Sequence, residues 1–174
     1  MRNAVFLVVG FLLILVQSNL HLALAFLPVV GVTPNLVLPL VVFLGVHEHS
    51  MTRGATLTAI LGYVLDLLSG APVGFFTFVH VACWWMARVA GVRLTTQTWL
   101  TRASLGFVFS IVESAISLIL LAVFGSDTRR PVEIAAIVVP HAVATALAAP
   151  FVFRLAQRMH QASLQASAAE GGVR

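Results

Sequence analysis

Long apolar runs separated by short polar turns make up most of the chain. Apolar runs of about 20 residues suit helices that cross the ~30 Å hydrocarbon core of a bilayer. Six candidate segments are recognisable, at residues 4–27, 34–46, 54–68, 72–89, 103–124 and 132–153. The pattern predicts an all-α polytopic membrane protein whose six helices form one compact bundle, residues 1–158. The polar residues 159–174 are predicted to extend the last helix into the cytoplasm and then to fray.

The second segment is the weakest candidate for a membrane-spanning helix. About 13 residues reach only ~20 Å as a helix, which is less than the thickness of the hydrocarbon core. The segment must therefore recruit residues 29–33, thin the bilayer or be partly re-entrant. Pro34 suits the start of this helix, with Asn35 directly after it, and Pro39 predicts a kink.

The composition predicts a membrane protein. Of the 174 residues, 60% are apolar and only 9% are charged, with a mean hydropathy of +1.02. A soluble domain has roughly 25% charged residues, so this chain cannot cover itself with a hydrated surface. All ten basic side chains are arginine, and they are scattered at the ends of apolar runs, which argues against nucleic-acid binding. The single Cys83 lies in an apolar run, where a buried packing role is expected.

The arginines also orient the chain. With a cytoplasmic N-terminus, the outer loops contain only Arg129 and Arg130, and the other eight arginines fall on the cytoplasmic side. This positive-inside bias predicts that both termini are cytoplasmic, which requires an even number of spans. Trp84, Trp85 and Trp99 fall toward the predicted cytoplasmic helix ends, where an interfacial aromatic belt would lie.

Three ionisable side chains are predicted to lie near the middle of the bilayer: Glu113, His80 and His141. A carboxylate at that depth must be protonated, paired or hydrated. One hypothesis is a proton relay or polar substrate site formed by all three residues. The other is a hydrogen-bonded pair that fixes helix packing, with Ser110 or Ser114 also within reach.

A fourth ionisable side chain, Asp66, lies near the outer end of the third segment, in the stretch 62–74. Its nearest turn is the small-residue pair Ser69 and Gly70, so Asp66 is predicted to cap this turn or to pair with a partner protein. The remaining small and turn-forming residues suggest close helix approach and a tight connection. They are Gly62, Pro72 and Gly74.

No motif in the chain indicates catalysis. His47, Glu48 and His49 lack the H-E-x-x-H spacing that places two histidines on one helical face, so a solvated cytoplasmic turn is expected. A nucleophile elbow, a phosphate-binding loop and a dinucleotide fingerprint are also missing from the sequence. The sequence therefore predicts a protein that is not an enzyme and that has no catalytic, cofactor or metal site.

The stretch 34–74 resembles the MreD family of rod shape-determining membrane proteins. That family has a proline-led second helix, a basic turn and a third helix with a G-x-x-x-D-l-x-s-G-x-x-x-G pattern. The matching residues here are Gly62, Asp66, Ser69, Gly70 and Gly74. Length, predicted topology and the final stretch 150–158 are similar as well. The chain departs from the pattern at Asn35, where members often have an acidic residue.

The resemblance implies a non-enzymatic component of the bacterial elongation machinery in the cytoplasmic (inner) membrane. MreD-like proteins bind MreC and, with it, regulate RodA, its penicillin-binding transpeptidase and indirectly the MreB filament. The outcome is ordered lateral peptidoglycan synthesis and rod shape. The expected fold is similar to the S-component of energy-coupling-factor transporters, a six-helix bundle in contact with membrane lipid.

That kinship supplies a rival hypothesis, a small-molecule (vitamin-like) binding subunit of a transporter. The short, uncharged outer loops at 28–33 and 69–71 fit a protein partner better than a polar metabolite. A third class, a proton-coupled channel or lipid carrier that uses Glu113, stays open.

Overall fold

A computed structural model describes the backbone of residues 2–24, 33–48, 50–90, 98–124 and 131–171. Within these residues the only regular secondary structure is helical, which confirms the predicted all-α class and its six helices. The helices are α1 (Arg2–Leu24), α2 (Val37–His47), α3 (Met51–Ser69), α4 (Phe75–Val89), α5 (Trp99–Phe124) and α6 (Pro131–Gly171). Helix α6 continues through most of the predicted tail.

Helix α2 is the centre of the bundle. It contacts all five other helices, and these form a closed ring around it in the order α1, α3, α4, α5, α6. Every residue from Val37 to Gly45 is buried. Because protein surrounds α2, its 11 residues need not match the thickness of an apolar layer. This explains why the second segment is so short.

The two prolines predicted to start helices, Pro34 and Pro72, lie before the helices, and Pro39, predicted to cause a kink, lies in a first turn. Helix α2 begins at Val37, so Pro34 precedes it, and Pro39 falls in the first turn. The N–H groups in the first turn of a helix have no intrahelical acceptor. A proline there removes no hydrogen bond, so Pro39 need not kink the helix. Pro72 likewise lies in the turn before α4, where its carbonyl accepts a hydrogen bond from the Phe75 N–H at 3.1 Å.

Helices α3 and α4 form a tight hairpin. Gly70 ends α3 with φ of +68°, and Gly74 begins α4 with φ of +97°, both in the left-handed region that favours glycine. At Gly62 the two helix backbones meet, since an added Cβ would lie 2.6 Å from the Cα of Thr77. An alanine at position 62 would therefore push the helices apart.

Glu48, in the turn after α2, is buried, so its predicted exposure to solvent is wrong. This side chain is only 6% exposed, and its Oε2 lies 3.9 Å from Nε of Arg53. Arg88 donates a hydrogen bond of 2.7 Å to the Glu48 carbonyl. His47 stacks on the ring of Phe43 at a centroid distance of 4.1 Å. His49 lies outside the described residues.

Length and apolar composition identify two of the described helical segments as able to cross a membrane, Trp99–Phe124 and Ile137–Ala162. Ala4–Leu20, Val37–His47 and Phe75–Val89 are apolar but shorter. The ring helices nevertheless expose many large apolar side chains. Large exposed side chains occur on each of them, among them Val8, Leu67, Phe78, Phe124 and Leu147.

Candidate functional site

The start of α2 is capped by Asn35. Its side-chain Oδ1 accepts hydrogen bonds from the N–H groups of Val37 and Leu38, at 3.0 and 3.1 Å. Asn35 itself is only 4% exposed, so these bonds lie inside the bundle. The first N–H groups of a helix have no intrahelical acceptor, and burying them unpaired is costly. The next residue, Pro39, has no N–H to satisfy.

Side chains from two ring helices complete this cap. Thr145 of α6 accepts a hydrogen bond from the backbone N–H of Asn35 at 3.0 Å. Gln17 of α1 accepts one from the N–H of Leu36 at 2.9 Å. Every backbone donor from position 35 to 38 therefore has an acceptor within the protein.

Glu113 of α5 connects to this cap through Asn35. The Asn35 Nδ2 donates a hydrogen bond of 2.6 Å to Oε1 of Glu113, and Glu113 is only 5% exposed. Its other oxygen, Oε2, is buried and has no hydrogen-bond partner among the described residues. The positive end of the α2 dipole lies beside this carboxylate and favours negative charge there.

The three residues predicted to lie near the middle of the bilayer do not form a hydrogen-bonded relay in the structure. His80 places Nδ1 2.8 Å from the Phe76 carbonyl, and its Nε2 is buried without a partner in the described part of the chain. His141 lies against the backbone of Thr33. Glu113 is bonded to Asn35 instead of either histidine.

The two serines named as possible partners of Glu113 are not bonded to it either. Ser114 donates its hydroxyl to the Ser110 carbonyl at 2.8 Å, and the Ser110 hydroxyl has no partner among the residues described. The hypothesis of a hydrogen-bonded pair that fixes helix packing agrees with the structure in kind, but the partner is Asn35.

A cavity of about 330 Å³ adjoins Glu113. It lies at the end of the bundle where α2, α4 and α6 begin. The five ring helices contribute to its wall, together with Asn35 just before α2. Gln17, Asn35, Glu113 and His141 supply polar groups. Most of the remaining wall is apolar, with Leu65, Phe76, Leu118, Leu121, Ile137 and Val138. Glu113 and His141 thus share one cavity, and His80 is not part of its lining.

Asp66 caps the neighbouring helix, α4. Its Oδ2 accepts hydrogen bonds from the Gly74 N–H at 2.9 Å and from the N–H and hydroxyl of Thr77 at 3.2 and 2.7 Å. Its Oδ1 accepts one from the Phe76 N–H at 2.6 Å. The side chain is 1% exposed. Asp66 therefore joins α3 to the start of α4 with four hydrogen bonds.

This geometry differs from the predicted role of Asp66 as a cap for the Ser69–Gly70 turn or as a contact for a partner. The carboxylate is directed to α4, and its burial leaves no oxygen for a second protein. Ser69 stabilises the turn by itself, since its hydroxyl accepts a hydrogen bond from the Ala71 N–H at 3.3 Å.

Three cap residues were not singled out from the sequence: Gln17, Thr77 and Thr145. Each is a polar residue within an apolar segment. That signal identifies a side chain in need of a partner, but it does not identify the partner.

The polar clusters around Asn35 and Asp66 cap the starts of α2 and α4. Among the described residues, no three His, Cys, Asp or Glu side chains lie close enough to hold a metal ion. Comparisons with protein-family models, curated proteins and solved structures find no match to this chain.

Proposed function

We propose that the protein is a non-enzymatic scaffold of the bacterial rod complex that binds MreC and supports lateral peptidoglycan synthesis and cell shape. The observation that carries this proposal is the α3–α4 hairpin. The residues that resemble MreD, above all Gly62, Asp66 and Gly74, act together in it. Gly62 permits close approach to α4, and Asp66 bonds to the start of α4 at Gly74.

A six-span location in the cytoplasmic membrane is part of the proposal. A soluble protein rarely exposes large contiguous apolar patches. Here exposed apolar side chains occur on every helix of the ring, while the polar side chains that cap α2 and α4 are buried. This distribution suits a bundle surrounded by lipid, with α2 held inside it.

The topology can be tested by cysteine labelling in spheroplasts with a membrane-impermeant maleimide. Val73 lies in the α3–α4 turn and is 73% exposed, and Thr98 is exposed just before α5. The native Cys83 is fully buried and gives little background. With cytoplasmic termini, Val73→Cys should react in sealed spheroplasts and Thr98→Cys only after permeabilisation. Reaction of both in sealed spheroplasts would contradict the proposed topology.

The binding surface for MreC is proposed on the outward face of the hairpin. Leu67 of α3 and Phe78 of α4 are 60% and 57% exposed there. An apolar face of this kind fits a transmembrane helix of a partner better than it fits a soluble metabolite. RodA and its transpeptidase would be regulated by this protein together with bound MreC.

The scaffold function is tested by co-purification and cell morphology. Leu67→Ala combined with Phe78→Ala should lower the recovery of MreC at least severalfold and round the cells. A matched control changes Leu147 and Phe151 of α6 to alanine, since these are 57% and 64% exposed on another face. Depletion of the protein with no change in cell shape and no recovery of MreC would refute the proposal.

The cavity beside Glu113 favours a second candidate, a small-molecule (vitamin-like) binding subunit of a transporter. A volume of about 330 Å³ is at the lower end of the range for ligand pockets. Purification of the protein with a tightly retained vitamin, together with unchanged cell shape on depletion, would support this function over the scaffold.

A further inference from the structure

The unused oxygen of Glu113 is the strongest unexplained feature of the bundle. One carboxylate oxygen bonds to Asn35, while Oε2 has no partner among the described residues. A buried acceptor of this kind normally has a donor, because leaving it unpaired costs free energy. The terminal torsion of a glutamate is soft, so Oε2 can turn toward a donor in the adjoining cavity without a change of rotamer.

The cavity lacks a permanent positive charge to balance this carboxylate. No arginine lies among its lining residues, and the chain has no lysine. His141 is the one basic side chain in the lining, and it lies against the backbone of Thr33. Asn35 links the start of α2, with its partial positive charge, to Oε1 of Glu113 and not to Oε2. A ligand that supplies a cation would therefore complete the site.

The shape of the cavity limits what such a ligand can be. Its volume of about 330 Å³ is roughly twice that of an engineered cavity that binds benzene. Leu65, Phe76 and Leu118 give it apolar walls beyond the polar end at Glu113. These walls suit a compact alkyl or aromatic group, and they do not suit a polyhydroxylated or multiply charged molecule.

We propose that this cavity binds a small organic ammonium ion, with the ammonium group on Glu113 and the apolar body between α3, α5 and α6. The site does not depend on the rod-complex function and goes beyond it. The ammonium supplies three N–H donors, one for Oε2 and others for the Ser117 hydroxyl and the Gln17 amide oxygen in the same lining.

The test uses three probes of similar shape: 2-phenylethylamine, 2-phenylethanol and 3-phenylpropanoate. Binding to the purified full-length protein in detergent micelles is measured by calorimetry and by the shift in Tm. At pH 7 we expect the amine to bind about ten- to hundredfold more tightly than the alcohol, because a hydrogen bond to a charged group is stronger. The carboxylate should not bind. Equal affinity for the amine and the alcohol would overturn the proposal.

Two substitutions locate the site. Glu113→Gln should abolish the preference for the amine while it retains an acceptor for Asn35. Leu121→Trp should block binding of all three probes by filling the cavity, with Val123→Trp as a control because Val123 is 66% exposed and outside the lining. If Glu113→Gln fails to fold, the amine binding of Leu121→Trp tests the site by itself, since this variant leaves the carboxylate intact. Unchanged amine binding by a folded Leu121→Trp protein would refute the site, whereas loss of MreC binding in the hairpin variants would not affect it.

Discussion

Replacing Asp66 by alanine should destabilise the bundle more than any other single substitution in the α3–α4 hairpin. The change removes the acceptor for four hydrogen bonds from Gly74, Phe76 and Thr77. Backbone donors left unpaired inside a protein cost about 1–3 kcal/mol each, and part of that cost is relieved by relaxation. We expect the free energy of unfolding in detergent micelles to fall by about 3–5 kcal/mol.

Three comparison variants make the Asp66 measurement specific. Asp66→Asn keeps one acceptor oxygen and should lose roughly half as much stability. Leu67→Ala changes the next residue, which is 60% exposed, and should leave stability almost unchanged. Glu48→Ala should be intermediate, since Arg53 beside it is 25% exposed and can be hydrated when the carboxylate is removed. Equal losses for Asp66→Ala and Leu67→Ala would contradict a capping role for the carboxylate.

The sequence was informative about helices because apolar runs and turn residues are local signals. The runs 54–68 and 103–124 correspond to α3 and α5, whose starts lie three or four residues earlier, at Met51 and Trp99. Next to proline the helix starts are displaced in the opposite direction. Pro34 and Pro72 were read as helix starts, but the helices begin at Val37 and Phe75. In both cases a buried acceptor, supplied by Asn35 or Asp66, satisfies the first donors of the helix beyond the proline.

The arrangement of the polar groups could not be predicted in the same way. Sequence position predicts a similar depth for Glu113, His80 and His141, but it does not predict the direction in which each side chain points around its helix. Asn35 and Glu113 are 78 positions apart, and they meet because α2 lies inside the ring. In the sequence, Asn35 is distinguished only as a departure from the MreD pattern. Its amide is what allows it to accept from α2 and donate to Glu113 at once.

Asn35→Ala should therefore be the most disruptive change at the centre of the bundle. It removes the cap on Val37 and Leu38 and leaves Glu113 buried without its hydrogen-bond donor. Loss of a helix cap costs about 0.5–2 kcal/mol, and a buried polar group left without its partner costs about a further 1–3 kcal/mol. We expect a total loss of about 2–5 kcal/mol in the free energy of unfolding.

A double-mutant cycle separates the two roles of Asn35. If Glu113 depends on Asn35, adding Glu113→Ala to Asn35→Ala should cost less than Glu113→Ala alone, with a coupling energy of about 1–3 kcal/mol. Asn35→Asp keeps an acceptor for the cap but opposes two carboxyl groups, so its stability should fall as the pH rises and both ionise. Thr145→Val is the control, because it removes the 3.0 Å bond to the Asn35 N–H without touching Glu113. Additive losses for Asn35→Ala and Glu113→Ala would show that the buried carboxyl group is held by something other than the cap of the central helix.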